Sequence, residues 1–223
     1  LHERGVIFGA STTYNRHNTE EVGSSAYIDM LIDKGCAYNW YFTYVPVGKD
    51  FDPDLMATPA QRAFMYRQVN HFRQTKPILN LDFWNDGAVS NGCIAGGRRY
   101  LHINAAGDVE PCAFIHYATD NIKGKSLREV LASPLFAAYQ QRMPFNNNHL
   151  RPCPLIDNPK MLPEMVSASG AHSTQEECQH APEQLAQALE QYAREWGKIA
   201  DEINSKNKQN RRLDVKRCVQ LLF

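Results

Sequence analysis

The stretch Cys93-Ile94-Ala95-Gly96, followed by Ile103-Asn104-Ala105-Ala106-Gly107-Asp108-Val109-Glu110-Pro111-Cys112, divides the chain in two. Its skeleton is a cysteine, thirteen residues, a glycine, four residues and a second cysteine. Asn104 to Asp108 reads as a hairpin turn between short strands. Such a turn folds the chain back so that two thiolates distant in sequence converge, while the glycines let backbone approach an inorganic sulfide closely. Thiolate is the soft, anionic ligand that iron in a sulfide cluster requires.

Upstream of this stretch, residues 5–92 alternate strand-like and helix-like patterns, the mark of beta-alpha-beta units and a parallel sheet. Val6 to Tyr14 reads as a strand. Asn18 with Glu21 offers a capping pair, Tyr27, Ile28 and Leu31 an apolar face, and Gly35 an end to that helix. Tyr38 to Val45 is the second strand. Thr58-Pro59-Ala60-Gln61 opens a helix that runs to about Thr75 and is stopped by Pro77. Ile78 to Phe83 is the third strand, ending in the polar turn Trp84-Asn85-Asp86-Gly87. Three parallel strands cannot close a barrel and leave two unpaired edges. The expectation is a piece of a longer protein whose missing strands lie on the amino-terminal side.

Downstream, Ser126, Ser133-Pro134 and Asn158-Pro159 are good helix starts, the last of these ending near Gly170. From Pro182 to Asn204, Leu185, Leu189, Tyr192, Trp196, Ile199 and Ile203 recur at steps of four and three, a single apolar stripe suited to core packing. The basic tail from Lys206 to Arg217 reads as a solvated end. The resulting organisation is 1–92, 93–157 and 158–223.

Composition narrows the function. The chain has 223 residues, of which 24 are basic and 24 acidic. That balance gives no global field to attract nucleic acid or an anionic membrane. No run approaches a membrane span and no signal peptide opens the chain, so the cytoplasm is the default expectation. In that reducing compartment the six cysteines read as buried thiols or metal ligands rather than disulfides. No close Cys-x-x-Cys pair points to zinc. Cys36 and Cys218 have no partner at a useful spacing and read as buried small hydrophobes.

The motif around Cys93, Gly107 and Pro111-Cys112 resembles the auxiliary-cluster domains called SPASM, and their shortened form, twitch, which are appended to radical S-adenosylmethionine (SAM) enzymes. Asp120-Asn121-Ile122 and the run from Ser126 to Pro134 are similar to that domain's helix entry. The full SPASM domain has a further group of closely spaced cysteines, whereas here only Arg151-Pro152-Cys153-Pro154 stands in that region. The resemblance therefore implies one auxiliary 4Fe-4S cluster on Cys93, Cys112 and Cys153, with Cys178, Asp157, a substrate atom or nothing as the fourth ligand. An open iron would suit substrate binding, a closed one electron relay. His102 and His116 flank this region in supporting rather than ligating roles.

Residues 8–18 extend the resemblance to the fifth strand of a radical SAM barrel. Alternation puts Ser11, Thr13 and Asn15 on one strand face, where they would meet SAM or substrate. Asp82 and Asp86 end the third strand at the rim that carries chemistry in beta-alpha barrels, and are candidate substrate contacts. The implied fold is α/β: the carboxy-terminal part of a partial (β/α)6 radical SAM barrel, a small α+β cluster domain and carboxy-terminal helices. The Cys-x-x-x-Cys-x-x-Cys triplet that holds the catalytic 4Fe-4S cluster in such enzymes does not occur. SAM and that cluster would belong to a full-length parent, which would abstract hydrogen from a peptide, protein or small molecule. A flavodoxin or ferredoxin would supply its electrons. Two other readings stay open: a non-catalytic peptide- or partner-binding module, and a structural zinc protein.

Overall fold

Gly9–Tyr14 (β1), Tyr38–Thr43 (β2) and Leu79–Asp82 (β3) form a parallel sheet in the order β1-β2-β3. This is seen in a computed structural model that describes residues 1–49, 52–175 and 181–220, with side chains omitted from 210 onward. The first strand begins at Gly9 rather than Val6, which is exposed along with Ile7. The register sets Thr12 opposite Tyr41 and Tyr41 opposite Asp82, on a buried face. The other face carries Ser11, Thr13, Tyr38, Trp40 and Leu79, all exposed.

The buried face packs on three helices. Thr19–Val22 (α1) and Ser25–Asp33 (α2) replace the single helix expected after Asn18. Asn18 makes no side-chain cap, because its amide joins the Asn15 N–H and the Thr13 carbonyl instead. The break falls at Gly23, where a Cβ would sit 2.6 Å from the Phe64 ring, and Ser24 then caps α2 by accepting from the Tyr27 N–H. Pro59–Thr75 (α3) carries the anticipated capping box between Thr58 and Gln61. Tyr14, Ile28, Leu31, Tyr41, Met65, Val69 and Phe72 make the core between sheet and helices.

After a short helix at Gly87–Ser90 (α4), the hairpin forms as read. His102–Ile103 (β4) pairs antiparallel with Val109–Glu110 (β5), and Gly107 takes φ +92° at the turn. Asn121 pins this turn, donating to the Ala106 carbonyl and to Asp108. Tyr117–Ala118 (β6) pairs with a strand far along the chain, His172–Ser173 (β7). Leu127–Leu131 (α5) is closed by a Ser126/Glu129 capping box, and Pro134–Gln141 (α6) by Ser133. Met161–Ser169 (α7) ends on Gly170 in the left-handed region. The last helix, Pro182–Gln220 (α8), runs beyond the Asn204 end read from the sequence. Its stripe is core as anticipated, with Leu185 and Leu189 in one cluster and Trp196 with Ala200 in another. Contacts of α8 with α3, of α7 with α6 and of β7 with β6 cross the divisions at 92 and 157. Among the described residues no helix is long and apolar enough to cross a membrane.

Candidate metal centre

Cys93, Cys112 and Cys153 come from three separate loops, and each loop is locked by its own hydrogen bonds. The Gly96 N–H donates to the Pro111 carbonyl at 3.0 Å, which clips the loop after Cys93 to the end of the hairpin. Cys112 bridges Ile115, whose N–H donates to the Cys112 carbonyl. The Cys153 carbonyl accepts from the N–H groups of Asp157 and Asn158 and from the Asn158 side chain. The Cys153 N–H itself donates to the Asp157 carboxylate at 3.0 Å. All three thiols are free and line one cavity of about 260 Å³. Its other walls include Trp40, Phe83, Phe114 and Tyr139, so it runs from the cysteines toward the open sheet face.

Burial raises the pKa of all three thiols. Cys153 is pushed up to about 12 by burial and then by the Asp157 charge, and Cys112 well above its ordinary value by burial and by the other two cysteines. Cys93 is raised by burial, against the hydrogen bond from Tyr139. Reactive thiols show the opposite, a lowered pKa in an electropositive setting. Thiols raised by burial, with Cys112 and Cys153 raised further by neighbouring cysteines, become thiolates when a cationic group compensates them, and a metal-sulfide cluster supplies that compensation. Among the described residues no group of three His, Cys, Asp or Glu side chains is arranged to hold a single metal ion. The cysteines instead surround a space, and this donor set fits a thiolate-bound cluster.

Asp157 is fully buried and paired with Arg62, with Nη1 to Oδ1 at 2.5 Å. Its Oδ2 takes the Cys153 N–H and a longer contact from Arg62. Both oxygens are therefore engaged, Oδ1 by Arg62 and Oδ2 by the Cys153 N–H and Arg62. Cys178, the other protein residue considered for the fourth position, lies outside the described residues.

The remaining candidates are placed as follows. Ser11 and Thr13 lie exposed on the open sheet face, level with Trp40 and Phe42 in register. Asn15 turns instead to its own loop, accepting from the N–H groups of His17 and Asn18. Asp82 and Asp86 border the cavity. The Asp82 carboxylate accepts from the backbone and side-chain N–H groups of Asn85, and Asp86 binds Arg73 and the Asp82 N–H. Burial, only partly offset by Asn85, raises Asp82 to about 6. His102 and His116 both reach Glu110, with Nδ1 at 2.7 and 3.5 Å from Oε2. Thr174 also donates to that carboxylate. Burial alone would raise Glu110, but the hydrogen bonds from His116, Thr174 and His102 outweigh it and hold the carboxyl below its usual value.

Sequence reasoning passed over Tyr139 and Arg62. Tyr139 is fully buried with its hydroxyl 3.5 Å from Cys93 Sγ. Arg62 sits on α3 wholly buried, stacked 4.2 Å above the Trp196 ring and donating to Asn85. The Ser133 cap foretells the helix under Tyr139, but no local signal tells which way that ring points.

Comparison with known families gives a match over residues 93–154 to SPASM, described as an iron-sulfur cluster-binding domain. Neither the curated proteins nor the solved structures yield a match to the chain.

Proposed function

We propose that this chain binds one auxiliary 4Fe-4S cluster through Cys93, Cys112 and Cys153, as part of a radical SAM enzyme that modifies a peptide, protein or cofactor precursor. The observation that carries this reading is the convergence of buried Cys112 and half-buried Cys93 and Cys153 on one cavity, inside the stretch that matches an iron-sulfur cluster-binding domain. When bound, the cluster would supply one-electron redox capacity or an iron site for a substrate atom. The chain's own residues contribute the rest. Asp157 and Arg62 hold the Cys153 loop, the Gly96–Pro111 bond sets Cys93 beside Cys112, and the aromatic side chains give the cavity an apolar wall.

The open sheet face supports the larger assignment. Ser11, Thr13 and Trp40 stand exposed on a three-stranded parallel sheet beside the cavity mouth. On this reading, further strands of a longer enzyme complete that sheet, and Ser11 and Thr13 face SAM or substrate, while Asn15 is occupied by its own loop. Asp82 and Asp86 then act at the rim chiefly by shaping it.

Anaerobic reconstitution with iron and sulfide tests the cluster. About four irons per chain with matching sulfide are expected, falling sharply in Cys93→Ala and Cys112→Ala. Stoichiometric zinc without sulfide, or iron uptake indifferent to both substitutions, would sink the assignment.

A further inference from the structure

Tyr139 is placed against the thiols with more care than core packing requires. Its ring stands perpendicular to Phe145 at 4.9 Å and lies over Gly96, where a Cβ would come within 2.4 Å of the ring. Gly96 holds φ +64°, so this position both needs a glycine for its backbone and needs the missing Cβ to admit the tyrosine. The helix under the ring is tied to the same loop, since Gln140 donates to the Gly96 carbonyl at 3.1 Å. Among the described residues the buried Tyr139 hydroxyl has one hydrogen-bond partner, the half-buried Cys93 Sγ at 3.5 Å.

In the free thiol either atom is able to donate. A cluster-bound Cys93 sulfur has no proton and only accepts, which leaves the phenol as donor. A phenol, whose ordinary pKa is about 10, carries its proton at neutral pH and has it to donate. Hydrogen bonds to cluster sulfurs withdraw charge from the iron and favour the reduced state.

We propose that the Tyr139 hydroxyl donates a hydrogen bond to the Cys93 sulfur of the bound cluster and thereby raises the cluster's reduction potential. The proposal rests on the cluster assignment above and makes Tyr139 a tuning residue, not a ligand. It also gives Gly96 a purpose apart from approach to sulfide, namely to make room for the ring that carries the donor.

The test is a potentiometric titration of the reconstituted full chain, wild type against Tyr139→Phe, with iron and sulfide measured on the same samples. Equal loading with a more negative midpoint in the variant is expected, together with loss of an exchangeable proton coupled to the reduced cluster. Equal loading with equal midpoints would overturn the proposal and leave the cluster assignment standing. Wild-type protein that takes up no iron and sulfide overturns the assignment and the proposal with it. If Tyr139→Phe loads poorly, 3-fluorotyrosine placed at 139 keeps the ring and strengthens the donor. Its midpoint should then move positive, and an unmoved midpoint overturns the proposal.

Discussion

Arg62 and Asp157, 95 residues apart, meet at 2.5 Å with both side chains wholly buried. Their pairing is one link of a longer series. Asp82 accepts from Asn85, Asn85 accepts from Arg62, Arg62 donates to Asp157, and Asp157 accepts the Cys153 N–H. The end of the central sheet is thereby wired through charge-assisted hydrogen bonds to one of the three cysteine loops.

Removing one member of a buried pair strands the other charge, at a cost of about 3–5 kcal/mol. Asp157→Asn and Arg62→Met should each lower the urea-unfolding free energy by that order, and the double variant by clearly less than the sum. Additive losses would show that the two side chains act independently. Asp157→Asn should also slow iron uptake, because the Cys153 N–H loses a charged acceptor.

Gly96 and Gly170 both take left-handed backbone, φ +64° and +67°. A Cβ at Gly170 meets nothing within 4 Å, whereas one at Gly96 runs into the Tyr139 ring. Gly170→Ala should cost about 1–2 kcal/mol for the backbone alone, and Gly96→Ala a further 1–3 kcal/mol or so for overpacking. Equal thermal shifts would mean that the ring yields freely.

Asp82 is raised from 3.8 to about 6. The folded state binds this proton more tightly than the unfolded one, so its stabilisation is complete below about pH 4 and is lost as pH rises through 6. Two units correspond to something on the order of 3 kcal/mol. Wild type should lose stability across that window in urea titrations, and Asp82→Asn should remove this component. A variant with an unchanged slope would place the titration elsewhere.

Cluster removal should loosen the protein without unfolding it. A group that binds only the folded chain stabilises it by mass action, so the reconstituted form should melt several degrees above the same sample stripped by chelator and oxidant. Cys36→Ala should leave that gap intact, since Cys36 packs half-buried against the sheet–helix core. A gap lost in Cys36→Ala but kept in Cys153→Ala would contradict the ligand set.

Much of this was legible locally. The capping boxes at Thr58/Gln61 and Ser126/Glu129, the turn at Gly107 and the stripe on the last helix each follow from spacing that neighbouring residues alone determine. The two helices after β1 were misjudged because Gly23 breaks for a tertiary reason, the nearness of Phe64. The cysteines stood out as candidate ligands by motif, but what holds their loops did not. Arg62 on an amphipathic helix looks like any solvated arginine until Asp157 and Trp196 fold around it. Glu110, likewise, is marked as a hub only by two histidines and a threonine that arrive from 8, 6 and 64 residues away. Long-range partners of this kind leave no periodicity to read.

The matched cluster-binding stretch ends at residue 154, three positions short of Asp157, and begins 31 after Arg62. The pair that steadies Cys153 therefore lies wholly outside the stretch that resembles other proteins. Grafting residues 93–154 onto a foreign scaffold would carry over Cys93, Cys112 and Cys153 and neither anchor. For an engineer the smallest transplantable unit reaches back to α3 and forward to α8.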